Sequence, residues 1–200
     1  MRRFLQVFVI LCLSLVGLPR AHAALSLEAM LVEGSLGDAK APVTVVEYAS
    51  LTCPHCADFA NNTFPAFKQK YIDTGKVHYI YRDFPFDQAG LRAAMMVRCA
   101  GPERFFGLLE ILFKSQTSWA AAADPIAELA KIGRLAGLSK EEFDACMGDK
   151  ALMDGILKGE MEAQDKLKVE ATPTFIVNGV KHEGDMSLAA FDAILAPLLK

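Results

Sequence analysis

The chain has 200 residues, 52% of them apolar and 22% charged, with a formal net charge of -3. That length fits one domain, or one domain with an insertion, and the composition excludes a disordered chain, a coiled coil and a collagen-like repeat. A nucleic-acid binder needs a clustered excess of Lys and Arg, so no nucleic-acid partner is expected, while the five cysteines are too few for a small stapled scaffold and ask for another explanation.

Residues 1–23 read as an export signal. Arg2 and Arg3 precede an apolar run from Phe4 to Leu18, and Ala21-His22-Ala23 supplies the small-x-small end of a cleavage site. The run is short for a membrane span, and a retained N-terminal anchor is the rival reading. Cys12 lies inside the run and leaves with the signal. Cleavage removes three arginines and no acid, leaving 18 basic against 24 acidic side chains, a net of -6. Four cysteines stay: Cys53, Cys56, Cys99 and Cys146. An even number in an exported chain suits an oxidising compartment.

Val43-Thr-Val-Val-Glu-Tyr-Ala49 is β-branched and mostly apolar, which predicts a buried strand. Cys53-Pro54-His55-Cys56 follows and opens a helical stretch to about Tyr71, with Phe59, Thr63, Phe64 and Phe67 at helical spacing and a kink expected at Pro65. Asp73-Thr74-Gly75 is turn chemistry. Val77 to Tyr81 is a second strand, ended by Asp83-Phe84-Pro85. The two strands, joined by a crossover helix, are expected to be parallel.

Gln88 to about Gly148 is helical throughout. Asp124-Pro125 is a cap followed by proline at the first helical position, and Ser139 with Glu142 forms a capping box. A helix over 150–167 is expected to bury Met153, Ile156, Leu157, Met161 and Leu167. Thr174 to Val177 and Val180 to His182 form a hairpin about Asn178-Gly179. Ser187 caps a last helix that turns Leu188, Phe191, Ile194, Leu195 and Leu198 inward. The order predicts a layered α/β domain interrupted by helices.

The chemistry sits at Cys53-Pro54-His55-Cys56. A cysteine at a helix start faces unpaired backbone N–H groups and the positive end of the helix dipole. A thiolate at Cys53 is stabilised there, and His55 adds N–H donors beside it. Cys56, within the first turn, can close a small disulfide ring with Cys53. Stabilising the thiolate stabilises the reduced form, which makes the disulfide a stronger oxidant. The competing readings are an inert disulfide or half a zinc site. Zinc needs two further ligands, and Cys99 and Cys146 form no second close pair, so no metal is expected. A haem attachment site needs His after the second cysteine, where Ala57 stands.

With these residues in place, the chain resembles the DsbA-like branch of the thioredoxin superfamily, exported thiol–disulfide oxidoreductases with a Cys-Pro-His-Cys centre. The resemblance covers nearly all of the chain after residue 23. It implies a thioredoxin-like α/β fold built from residues 24–87 and 149–200, with an inserted α-helical domain over 88–148. It implies a periplasmic dithiol oxidase that donates the Cys53–Cys56 disulfide to reduced cysteines of exported proteins. A membrane quinone-linked reoxidase similar to DsbB would restore that disulfide, and no cofactor is needed. A monomer is expected, since only Ala24 to about Ala39 precedes the first strand.

The resemblance also assigns roles. Glu47, six residues before Cys53, takes the place of a buried acid that relays the proton of Cys56; an outward-facing strand glutamate is the plainer reading. Thr172-Pro173 takes the place of the cis-proline loop that lies against the active-site cysteines and binds substrate, the plainer reading being a proline that begins a strand. Cys99 and Cys146 become a structural disulfide across the helical insertion. A disulfide isomerase or reductase of the same superfamily stays open, since Thr before the proline is shared with isomerases. A non-catalytic chaperone is a further alternative. His78 and His182 read as ordinary strand residues, Gln116 and Trp119 as groove lining or packing, and Asn61-Asn62-Thr63 as a sequon placed in a helix.

Overall fold

The computed structural model describes residues 25–200; the expected export signal and Cys12 lie outside the described residues. The chain begins with a short helix α1 (Leu27–Met30), capped by Ser26, and a three-residue strand β1 (Gly34–Leu36). Neither was expected in the stretch before the first predicted strand. Elements this short carry no periodicity, so only their tertiary partners define them. Next come β2 (Val43–Ala49), α2 (Pro54–Asp58), α3 (Phe64–Phe67) and β3 (Val77–Asp83). Wide π-type turns over Phe59–Thr63 and Lys68–Ile72 join α2, α3 and the following loop into one helical run. Where a kink was expected at Pro65, the run widens into the first of these turns just before the proline, which lacks an N–H to continue the regular ladder.

The helical block comprises α4 (Gln88–Cys99), α5 (Phe105–Lys114), α6 (Gln116–Ala120), α7 (Pro125–Leu135) and α8 (Lys140–Gly148). Its starts carry the expected chemistry. Asp124 accepts from Ala127 N with Pro125 in the first turn, and Ser139 and Glu142 form the reciprocal capping box. Then follow α9 (Lys150–Leu167), β4 (Thr174–Val177), β5 (Val180–Glu183) and α10 (Leu188–Leu195). The β4–β5 turn uses Asn178 and Gly179, both at positive φ (45° and 87°), as a two-residue hairpin of this twist requires.

The five strands form one sheet in the order β1-β3-β2-β4-β5. β2 and β3 are parallel, and every other pairing is antiparallel. β2 is central, which explains why it lacks polar alternation: both of its faces are covered. One face carries Val43, Val45 and Ala49 into the main core with Phe59, Phe67, Phe175, Phe191 and Leu195. The other packs Tyr48 and Ile176 against Phe84, Ala163 and Val169 beneath α9. α9 buries Leu152, Ile156 and Ala163; Met161 and Leu167, expected inside, are exposed, as is Leu198 after α10. Met161, five residues after Ile156 and two before Ala163, falls on the opposite side of α9 from its buried stripe.

A smaller cluster joins α1, α4, α8 and α9 through Met30, Leu91, Met95, Cys146 and Leu152. A disulfide links Cys99 at the end of α4 to Cys146 in α8, 47 residues apart. Asp83 and Arg98 form a buried ion pair at 2.5 Å, and the same guanidinium donates to Met30 O and Val32 O, each at 3.2 Å. The chain before β1 is thereby tied to α4. No helix of the described residues is long and apolar enough to cross a membrane. Replacing both Cys99 and Cys146 by Ala should cost about 2–4 kcal/mol in denaturant unfolding, because the bond closes a long loop; unfolding at the wild-type midpoint would contradict this.

Candidate active site

The site is built where β2 ends. Ser50-Leu51-Thr52 turns the chain, with Cys53 N donating to Ser50 O at 3.1 Å. Cys53 is the N-cap of α2 in an extended conformation, and Pro54 occupies the first helical position, where its missing N–H is no loss. Pro54 and His55 are exposed, Cys53 is nearly buried and Cys56 is completely so. Both cysteines are free thiols.

The two sulfurs therefore sit three residues apart in different surroundings. The Cys53 thiol is brought down to about 5, first by a hydrogen bond from the Cys56 thiol and further by Thr172 and the backbone N–H groups of Cys56 and His55, with burial opposing. Cys56 goes the other way. Burial lifts its ionisation far above the usual thiol range, and the nearby Cys53 and Glu47 charges add to the effect. One thiol is ready to ionise and the other holds its proton.

The Thr172–Pro173 peptide bond is cis. It presents Thr172 O to Cys53 Sγ at 3.3 Å. The Thr172 hydroxyl oxygen is buried with no hydrogen-bond partner among the described residues. Pro173 is buried and its carbonyl accepts from Gly184 N at 2.9 Å, which fixes the loop against the β5 end.

Glu47 is 2% exposed and lies on the same face of β2 as Val45 and Ala49, turned into the main core. Tyr79 on β3 donates its hydroxyl to the Glu47 carboxyl. Burial raises the Glu47 ionisation to about 8, the Tyr79 bond pulls it down, and the Cys53 charge pushes it up. Glu47 is thus a neutral acid at pH 7, in electrostatic contact with both cysteines. At the rim, Asp185 is raised by burial and by a shared hydrogen bond with Asp58, beside His55.

Cys53, Pro54, His55, Cys56, Glu47, Thr172 and Pro173 come together in one place. Cys99 and Cys146 lie apart from them, in the helical block. Two contributors, Tyr79 and Asp87, escaped the sequence reading, and a third, Gln116, was read only as groove lining or packing. Tyr79 sits two residues before the partner of Glu47 in the parallel register, where Glu47 pairs with Tyr81. Asp87 accepts from the Thr52 hydroxyl at 2.8 Å while capping α4 through Gly90 N. Gln116 is buried and bonds the backbone of the Cys53 loop. His78 and His182 are half-buried strand residues, as expected.

The sequence model of the thioredoxin family matches residues 32–196. A Rickettsia typhi protein named for protein-disulfide oxidoreductase activity is 38% identical over 149 residues, which cover 74% of this chain and 55% of its own length. A Bacillus anthracis protein named for disulfide bond formation is 30% identical over 152 residues, covering 72% of this chain and 69% of its own. The chain spans about half the length of the Rickettsia relatives it matches. The crystal structure of Wolbachia pipientis alpha-DsbA1 superposes with a TM-score of 0.78 at 40% identity, covering 84% of this chain and 91% of that one. These similarities bear out the expected thioredoxin-like α/β fold of the DsbA type.

Because folding raises the Glu47 ionisation, its contribution is favourable at low pH and is lost as pH rises through about 8. Glu47→Gln keeps an acceptor for Tyr79 and removes the charge. It should be more stable than wild type by about 1–3 kcal/mol near pH 8, the difference vanishing toward pH 4 in thermal or denaturant unfolding. A gain independent of pH would show that burial of a charge is not the cause. Tyr79→Phe should move the Glu47 ionisation higher still, seen as a shift of the same pH profile.

Proposed function

The chain belongs to the DsbA-like protein-disulfide oxidoreductases of the thioredoxin superfamily, and on that premise we propose that it is a thiol-disulfide oxidase acting on exported proteins in the periplasm. The observation that carries this reading is the opposed ionisation of Cys53 and Cys56. A centre that stabilises one thiolate stabilises its own reduced state and so accepts electrons from ordinary protein thiols.

Oxidation proceeds in two exchanges. A substrate thiolate attacks Sγ of Cys53 in the Cys53–Cys56 disulfide; a mixed disulfide forms and Cys56 leaves as a thiolate. Cys56, lifted far above the usual thiol range, takes a proton, and neutral Glu47 is the buried acid that supplies it. A second substrate thiolate then attacks its own half of the mixed disulfide. Cys53 departs as the stabilised thiolate, the substrate gains a disulfide, and two electrons remain on the Cys53–Cys56 pair. Pro54 and His55 are the exposed residues a substrate meets first. Thr172 and Pro173 supply backbone groups beside Cys53 for an extended substrate segment.

In this reading residues 1–23 are the cleaved export signal. Residues 24–87 and 149–200 form the catalytic domain, 88–148 its helical insertion, and Cys99–Cys146 a structural bond. A membrane quinone-linked reoxidase similar to DsbB returns the pair to the disulfide, and the protein acts as a monomer. Thr172 before the cis-proline is the observation on the side of the isomerase alternative.

Oxidised protein mixed with a reduced, unfolded substrate of two cysteines should give one substrate disulfide per Cys53–Cys56 pair reduced, and Cys53→Ser should abolish this. Efficient reshuffling of a scrambled substrate with poor oxidation of a reduced one would favour the isomerase. Suppression of substrate aggregation that Cys53→Ser keeps in full, with no disulfide exchange by the wild type, would sink both redox readings and leave a chaperone. In the reduced protein, thiolate absorbance should titrate at about 5. Because folding depresses this ionisation, its stabilisation of the reduced form is complete above the range of a free thiol and is lost as pH falls through about 5. The oxidised form has no thiol to ionise there, so the stability difference between the two forms should shift against the reduced form as pH falls from 9 to 5.

A further inference from the structure

We propose that Gln116, at the start of α6, is a positioning residue for Cys53, through which the inserted helices hold the loop that carries the reactive thiol. The inference rests on the dithiol chemistry above and assigns to the helical block a part in setting it. Gln116 is 6% exposed. Its Nε2 donates to Leu51 O and to Cys53 O, each at 2.9 Å. Both partners are carbonyls and accept only, so the amide can face them only through its nitrogen.

Cys53 O also accepts from Ala57 N at 3.1 Å, the first backbone bond of α2. Gln116 therefore holds the carbonyl that starts the helix and the carbonyl two residues before it. With both oxygens turned toward the helical block, the backbone N–H groups of His55 and Cys56 remain directed at Cys53 Sγ, where they favour its thiolate. Each amide hydrogen also draws charge off a carbonyl next to the reactive residue. Because a buried carbonyl that loses its donor keeps its desolvation cost, the loop has reason to rearrange when Gln116 is removed.

A second contact from the same block reinforces the first. Asp87, the cap of α4, accepts from the Thr52 hydroxyl at 2.8 Å, and the Ser50 and Thr52 hydroxyls lie 3.0 Å apart. A Cβ at Gly90 would lie 3.0 Å from Thr52 Oγ1 and 3.1 Å from Ser50 Oγ, so α4 approaches the loop as closely as glycine permits. Residues 50 to 53 are thus held from the helical side at both ends. From the helical block, Gln116 reaches the carbonyl of the reactive cysteine itself.

The test compares wild type with Gln116→Met, which keeps the length and removes the donors, and Gln116→Glu, which keeps the shape and places a carboxylate against two carbonyls. Thiolate absorbance of the reduced protein reads the Cys53 ionisation, and equilibration with glutathione reads the stability of the Cys53–Cys56 disulfide. Gln116→Met should raise the Cys53 midpoint and shift the glutathione equilibrium toward the disulfide by about three- to tenfold, the loss of a hydrogen bond's worth of positioning. Gln116→Glu should do so by more, and it serves alone if the Met variant does not fold. Asn61→Ala is the control. Asn61 donates to Phe113 O at 3.2 Å and ties the helical run to α5 away from the Cys53 carbonyl, so this variant should lose stability with both redox readouts unchanged. Wild-type midpoints and equilibria in the Gln116 variants, with only thermal stability reduced, would overturn the proposal. If the wild-type pair itself proves reducing, the oxidase reading falls, while the difference between variant and wild type still decides the role of Gln116.

Discussion

The site depends on one asymmetry: two thiols in a single helical turn are given opposite proton affinities. Cys53 stands at the end of the helix where donors are unpaired, and Cys56 is sealed beneath it in the main core. A helix start alone would favour any thiolate placed there. Depth then separates the two, because burial costs an ion its water and only Cys53 receives enough donors to offset that loss. The rest of the molecule keeps these two environments three residues apart. β2 delivers Cys53 at its end and Glu47 under Cys56, so one strand sets both the reactive sulfur and the buried acid. Tyr79, from the parallel neighbour strand, holds that acid.

This division explains a fold with helices on both sides of the sheet and a block of helices beside the reactive end. The central strands are covered on each face and cannot shift register without burying polar groups or exposing apolar ones. The loop from Ser50 to Cys53 has no such ladder. It is held by side chains from outside: Asp87 on Thr52, Gln116 on Leu51 O and Cys53 O, and the cis Thr172–Pro173 bond opposite. The helical block is itself fixed by the Cys99–Cys146 disulfide and the buried Asp83–Arg98 pair. Rigidity thus reaches the active-site loop through groups that are distant in sequence and packed in space.

Local chemistry was legible in the sequence wherever one residue type had one physical use. The Cys53 to Cys56 spacing, the caps at Asp124, Ser139 and Ser187, the Asn178-Gly179 turn and the β-branched run of β2 all read through to the structure. The extent of α9 was readable from its apolar spacing, but its buried stripe was not, since Leu152, Ile156 and Ala163 face inward while Met161 lies on the other side of the helix. The edge strand β1 escaped because three residues are defined only by their pairing with β3. Tyr79 and Asp87 escaped for the same reason, as did the hold of Gln116 on the Cys53 loop. A tyrosine in a strand, an aspartate at a helix start and a glutamine in a helix are ordinary, and only contacts across 32 to 65 residues turn them toward the cysteines.

The central claim is that this asymmetry makes the Cys53–Cys56 disulfide an acceptor of electrons. Equilibrating the wild-type protein with defined ratios of oxidised and reduced glutathione, and trapping Cys53 and Cys56 at each ratio, measures it directly. The account predicts a pair that stays reduced well into oxidising glutathione mixtures, with a potential far above the roughly -270 mV of thioredoxin. A potential at or below that of thioredoxin would contradict it.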